Sequence, residues 1–476
     1  MLLALLLIPA LAGVGAYAHR AEAFRTAWLV AAALLHAGLV GAVWVQPPQP
    51  VFSGWLAADP PGLVVLSAVS LLFLSVAVYT VGYLRRENPR GGRVFVSCLL
   101  AFLASASLVA MSQHVGLLWV GMEASTLAVA PLIFHRHDRR SLEAVWKYLV
   151  LSSVGIALAL LGVFFLATAQ FPALRAGVRP LVLEDLLAAG GRLDSRWLKA
   201  AFVFLLVGFG TKMGLAPMHT WKPDTYGEAP SLVGALMAGG ITACAFLGVA
   251  RATQVALAGG VGEFARPLLI GFGLLSLAVA AAFLLGQTDV KRLLAYSSIE
   301  HMGLLALGLG LGGIGTYGAL LHVINNAFAK GFLFLAVGNV VLVTGTAKVA
   351  DLTGVVRRAP WSGTLLVVGL FAVTGSPPFG PFVSLFTIIR SATGSAWVLA
   401  VLVLLLAISF GGMAGTILEI AQGSPPAGGK PARERGWLIV APTLLALLVL
   451  MLGVYLPQGL RGALLRGAGA LGGSGP

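Results

Sequence analysis

Apolar runs about a bilayer long, separated by short polar loops, recur from one end of this chain to the other. A run of 18 or more apolar residues is what an α-helix needs to cross hydrocarbon. The runs predict fourteen spans, near 1–18, 27–45, 62–83, 94–112, 115–134, 145–169, 200–218, 231–250, 267–286, 293–312, 314–345, 361–390, 395–416 and 437–456. The expected fold is an all-α polytopic membrane protein. The eleventh and twelfth runs are longer than a bilayer requires and are expected to be tilted or broken.

Two runs hold helix breakers at mid-depth. The seventh carries Gly208, Gly210, Gly214 and Pro217, and the twelfth reads TGSPPFGPF over residues 374–382. Proline removes an amide donor and frees a carbonyl, which hydrocarbon cannot satisfy, so such breaks persist only where protein or water lines them. Broken helices at matching places in two halves point to inverted repeats. The expected organisation is three helices in 1–93, a five-helix repeat in 94–250 (helices 4–8), a second in 267–416 (helices 9–13) and a last helix at 437–456.

Charge fixes the expected orientation. The loops HRAEAFR, RRENPRGGR, HRHDRR, TDVKR, KVADLTGVVRR and KPARER alternate with loops poor in lysine and arginine, so all six fall on one side. The positive-inside rule makes that side cytoplasmic and puts both termini on the periplasmic, outer side of the inner cell membrane. Residues 170–199 carry five basic residues on the other side, in a loop too long for the rule to bind.

Composition narrows the function classes. The 476 residues are 58% hydrophobic and 10% charged, against about 25% charged in soluble domains. The net charge of +14 would suggest nucleic acid in a soluble chain, but here it belongs to loops, and the expected partner is the lipid bilayer. Cys98 and Cys244 are the two cysteines, too few for a cysteine-ligated iron–sulfur cluster within the chain, and a zinc site is not expected. The N-terminal run lacks a basic n-region and reads as a first span, not a cleaved leader.

Apart from Arg390 at the very end of the twelfth span, three of the 31 basic residues, Lys147, Lys212 and Lys330, fall inside predicted spans. A lysine at mid-bilayer costs roughly 3 kcal/mol on insertion scales, so it calls for a partner. Glu123, near the middle of the fifth span, is the candidate partner of Lys212. Such a pair can relay protons or merely fix helix packing, and the sequence leaves both readings open. In the eleventh span His322, Asn326 and Lys330 stand at i, i+4 and i+8, one helix face over roughly 12 Å, with Asn325 beside them. The tenth span brings Tyr296, Ser297, Ser298, Glu300 and His301 as possible partners of that stripe. Lys147 lies near its span's end and can snorkel to the interface, and His114 sits at a membrane edge. His301 and His322 could in principle ligate a haem, but their charged companions are not what such a site needs. The glycine-rich GLGLGGIG, residues 308–315, lies in apolar sequence with no preceding strand and reads as close helix packing.

The segments FGTKMGLAPMHTWKPDTYGEAPSLVGALMAG, DVKRLLAYSSIEHMGLL, HVINNAFAKGFLFLAVGNV and GSPPFGPF, in that order, resemble the signature segments of the antiporter-like proton-translocating subunits of complex I and its relatives. The resemblance runs over about residues 60–420. YSSIEHMG, and the lack of a long C-terminal extension, look closest to component F of hydrogenase-4. The M and N chains of complex I and the D chain of multisubunit sodium/proton antiporters are similar too.

That resemblance implies a subunit that moves a proton, driven by electron transfer in a peripheral redox arm made of other chains, alongside other membrane subunits. It implies proton-transfer roles for Glu123, Lys212, His301, His322 and Lys330, with no cofactor and no metal in this chain. Two departures stand out. Relatives carry a lysine or histidine in the eighth span, where this chain has GGITACAFLG, with Thr242 as one donor to a bridging water chain. Relatives also carry an ionisable residue just after the break of the twelfth span, where this chain has Leu385, with Arg390 five residues on. Three readings follow: a proton-conducting subunit of a membrane oxidoreductase, a subunit of a cation/proton antiporter moving protons or sodium ions, or a non-conducting scaffold.

Overall fold

The computed structural model of the chain describes residues 1–87, 92–174, 178–424, 434 and 436–475. Parts of the basic loops RRENPRGGR and KPARER lie outside the described residues. Among the described residues there are twenty α-helices, a few isolated bridges and no extended strand.

An N-terminal group comprises α1 (Leu2–Ala18), α2 (Glu22–Val45) and α3 (Pro60–Glu87). Then come α4 (Gly92–Met111), α5 (Val115–Ile133), α6 (Arg139–Leu174) and a short outer-loop helix, α7 (Leu183–Ala189). The seventh predicted span, 200–218, is helical only to the end of α8 (Ser195–Met213), α9 (Trp221–Glu228) lies beyond it, and α10 (Ser231–Leu236) continues through a π-helical turn at Met237–Ile241 into α11 (Thr242–Ala258). The remainder is α12 (Gly262–Leu284), α13 (Val290–Leu311), α14 (Ile314–Thr344), α15 (Val355–Arg358), α16 (Pro360–Val373), α17 (Gly380–Ser391), α18 (Ala396–Gln422), α19 (Gly436–Val454) and α20 (Gln458–Ala470).

Eleven of the described helices are long and apolar enough to cross a membrane, and Leu2–Ala18 and Pro360–Val373 are shorter apolar helices. The expected fourteen is reached only by counting α1 and the two broken helices as spans, which length and composition alone do not do. Of the two over-long runs, the twelfth is broken between Val373 and Gly380, whereas the eleventh is one continuous helix, Ile314–Thr344.

Burial sorts the helices into a core and a shell. The most apolar windows of Ser231–Ala258 and Val290–Leu311 are 100% and 94% buried, against 28% for Ala396–Gln422 and 33% for Glu22–Val45. The two most buried of these helices carry Thr242, Ser297, Ser298, Glu300 and His301. A buried polar group needs a protein partner, and only a central helix has neighbours on every side to supply one.

Each break has a local cause. The α8 helix ends on Gly214, whose φ of +80° is a left-handed cap that glycine adopts without strain, and its amide closes back onto Gly210 O at 2.7 Å. The α16 helix ends before Gly375, at φ +72°, and the Pro377–Pro378 pair. Small residues set the packing elsewhere. A Cβ on Gly208 would lie 2.5 Å from Ala159, and one on Gly239 would lie 2.9 Å from Ala327 O, so α8 lies tightly on α6 and the π turn on α14. The GLGLGGIG stretch shows both close packing, Gly308 against Gly315 O, and a tight turn at Gly312 and Gly313 between α13 and α14.

Candidate functional site

The first cluster joins α5, α6 and α8. Lys212 occupies the last turn of α8 and is completely buried. Its Nζ lies 3.7 Å from Glu123 Oε2 on α5 and donates a hydrogen bond to the Thr126 hydroxyl, one turn along the same helix. It also stands 5.7 Å from the ring centre of Tyr148 on α6. Thr126 in turn donates to Met122 O at 3.1 Å, so its oxygen is oriented to receive the ammonium. Glu123 and Lys212 therefore meet, as their sequence positions suggest.

The second cluster joins α13, α14 and α17. Lys330 is completely buried and donates to Ser297 Oγ at 2.5 Å. Glu300, three residues along α13 from Ser297, is buried and interacts electrostatically with Lys330. His301 Nδ1 and His322 Nε2 share a hydrogen bond of 2.8 Å, and the other His322 nitrogen shares one of 2.8 Å with the Ser384 hydroxyl. Ser384 sits in the first turns of α17, just past the second break, and Asn325 donates to both Ser384 and Gly380 O, at 3.2 and 2.8 Å. Asn326, on the face shared by His322 and Lys330, reaches Ala238 O in the π turn at 3.4 Å.

Between the clusters lies Lys222, on α9. It is completely buried, donates to Ser298 Oγ at 3.2 Å and stands 5.9 Å from the Tyr226 ring centre. The rings of Tyr148, Trp221 and Tyr226 form a row, with centres 5.2 and 6.1 Å apart, that leads from Lys212 to Lys222. Named in spatial order, the groups are Glu123, Lys212, Lys222, Ser298, Ser297, Lys330, His301, His322 and Ser384. Each can hold, give or pass on a proton, and all but the half-buried Glu123 are buried.

A model of the family described as NADH:quinone oxidoreductase/Mrp antiporter, TM, matches residues 112–411. That stretch contains every group of this axis. The chain belongs to this family. It is similar to a hydrogenase-4 component F homolog of Methylacidiphilum infernorum, 33% identical over 416 residues covering 84% of this chain and 87% of the relative. It is also similar to NADH-quinone oxidoreductase subunit N of Desulforudis audaxviator, 33% identical over 439 residues covering 86% and 83%. A chain of the membrane-bound sulfane sulfur reductase, an archaeal respiratory membrane complex, superposes with a TM-score of 0.89 at 22% identity over 99% of this chain and 98% of its own, a likeness of fold.

Several sequence expectations need correction against this geometry. Lys222 reads as a loop residue because WKPDTYGE is polar, yet α9 folds back into the protein and buries it. Arg251 and Lys291 are likewise buried, Arg251 on Asp59 at 2.8 Å and Lys291 on the carbonyls of Gly227 and Ala229. Lys147 pairs with Glu143 at 2.7 Å and Asp224 at 2.9 Å, so it holds α9 against α6 in addition to sitting near the surface. Thr242 gives its hydroxyl to Ala238 O at 2.6 Å, one turn back on its own helix, which spends its donor. Leu385 packs over Gly375 and among Leu277, Leu304 and Ile388, while Arg390 is exposed at the end of α17. The polar group after the second break is Ser384, which no sequence signal separated from other span serines.

Proposed function

We propose that this chain is a proton-translocating membrane subunit of a respiratory oxidoreductase, of the NADH:quinone oxidoreductase or hydrogenase-4 type. The observation that carries this reading is the line of ionisable and hydroxyl groups that starts at the half-buried Glu123 and runs through the buried Lys212, Lys222, Lys330 and His322 to Ser384. Charge at such depth is costly, so a fold that serves only as scaffold gains nothing from placing Lys212, Lys222 and Lys330 fully buried along one line. Lys212, Lys330, His322 and His301 are the proton-carrying groups in this reading, and Glu123 sets the charge beside Lys212.

A cavity of about 120 Å³ at the end of α9, lined by Arg140, Glu143, Lys147, Asp224, Glu228 and Arg292, brings exposed charged groups to within two residues of Lys222. The chain itself carries no redox centre in this reading, and its two cysteines are far apart in sequence. Electron transfer belongs to a peripheral arm of other chains, with further membrane subunits beside this one, in the inner membrane and with both termini outside.

The test is purification of the tagged chain in mild detergent with mass spectrometry of its companions. Redox subunits that carry nickel–iron or reduce quinone are expected. Companions limited to small antiporter-type membrane chains, with sodium-dependent proton flux, would move the assignment to a cation/proton antiporter.

A further inference from the structure

We propose that Lys222 carries protons between the two halves of the axis, passing them between Lys212 and Lys330. This rests on the proton-translocating reading above and adds a residue to it.

Four observations converge on Lys222. First, it closes an otherwise open gap. The eighth span offers no ionisable group there, and its two polar side chains are engaged elsewhere, Thr242 on Ala238 O and Cys244 toward Ala106 O at 3.8 Å. Second, Lys222 and Lys330 converge on adjacent residues of one helix, donating to Ser298 at 3.2 Å and Ser297 at 2.5 Å. Neither forms an ion pair among the described residues, and the two ammonium groups act on each other electrostatically.

Third, the break is shaped around this side chain. A Cβ on Gly214 would fall 2.4 Å from Lys222 Cε and 2.5 Å from Cδ, so the glycine that ends α8 also makes room for the lysine's stem. Fourth, the side toward Lys212 is lined by hydroxyls. Tyr148 faces Thr126, the hydrogen-bond partner of Lys212, and Tyr226 faces Ser298, the partner of Lys222. Both phenols are buried, and among the described residues neither oxygen has a partner within ordinary hydrogen-bond geometry.

The step itself balances simply. An ammonium at Lys222 gives up one proton and becomes an amine, a neutral amine at Lys330 gains one, and the serine hydroxyls between them each accept one proton and release another. Charge moves by one lysine and no electron is exchanged.

The whole complex, reconstituted in liposomes, tests this by its ratio of protons translocated to electrons transferred. Lys222→Met keeps the length and apolar stem but cannot hold a proton, and Lys222→Gln keeps a hydrogen bond to Ser298. Both are expected to lower the ratio at least fivefold. A ratio in the wild-type range for either variant would overturn the proposal, since Lys222 would then be packing or a hydrogen-bonding strut. If neither assembles, the double variant Ser297→Ala/Ser298→Ala, which leaves every charge in place, is expected to lower the ratio severalfold, and an unchanged ratio would overturn it equally. Wild type and Lys212→Ala run alongside. Vesicles in which wild type moves no ions refute the functional reading as a whole, whereas pumping by wild type and by both Lys222 variants refutes only this proposal.

Discussion

Glu123 Oε2 stands 3.7 Å from Lys212 Nζ, yet the ammonium gives its close hydrogen bond to Thr126. The pair is a charge interaction without a shared proton, and Glu123 Oε2 accepts no hydrogen bond from any described residue. Glu123 therefore acts through its charge. Glu123→Gln preserves shape and removes only that charge, so its proton-to-electron ratio is expected to fall nearly as far as that of Glu123→Ala, tenfold or more. Full stoichiometry in Glu123→Gln would show the carboxylate to be dispensable.

Ser384 and Leu385 are neighbours with opposite surroundings. Ser384 is bound to His322 and Asn325, whereas Leu385 packs in an apolar cluster. Ser384→Ala leaves two buried polar side chains short of a partner, and translocation in vesicles is expected to drop severalfold. Leu385→Ala should leave the proton-to-electron ratio alone and lower the melting temperature, because the cost is that of a cavity.

Gly214 is constrained twice, by its positive φ and by the stem of Lys222. Gly214→Ala is expected to destabilise the chain by about 2 kcal/mol or more, read as a lower melting temperature of the purified protein. Gly38, inside α2 with open space where a Cβ would go, is the control, and Gly38→Ala should not lower the melting temperature.

How much of this was legible from the chain depends on the residue. The stripe His322, Asn326, Lys330 could be read because helical spacing alone puts three polar groups on one face, and the candidate partners Ser297 and His301 follow from the same arithmetic on the next helix. Lys222 could not be read. Its local sequence is as polar as any loop, and only packing against α6 and α13 buries it. Ser384 was hidden for a different reason: most span serines bond their own helix, and what distinguishes this one is a histidine 62 residues away in sequence. The helices α7 and α20 lie outside the long apolar runs that gave the signal elsewhere, so periodicity passed over them.

Outside the membrane-spanning part, Arg179 clamps the loop before α7. It donates to Asp185 at 2.8 Å and to Ser53 O at 2.6 Å, and its hydrogen bonds hold the Asp185 carboxyl below the usual carboxylate range. A lowered folded pKa means the clamp is at full strength above the unfolded value, about 3.9, and weakens as pH falls through the folded one. Hydrogen exchange of amides 181–186, corrected for intrinsic rate, is expected to rise as pH drops below about 4. In Arg179→Ala it should already be high at neutral pH. A pH-independent exchange rate in the wild type would rule the clamp out.

The central claim is that protons cross this protein through its buried lysines, and Lys212→Ala tests it most directly. The measurement is the proton-to-electron ratio of the intact complex in sealed liposomes, with electron transfer followed in the same sample. Electron transfer should continue while vesicle acidification is lost. Acidification at the wild-type ratio in Lys212→Ala would contradict the account and leave the axis as helix packing.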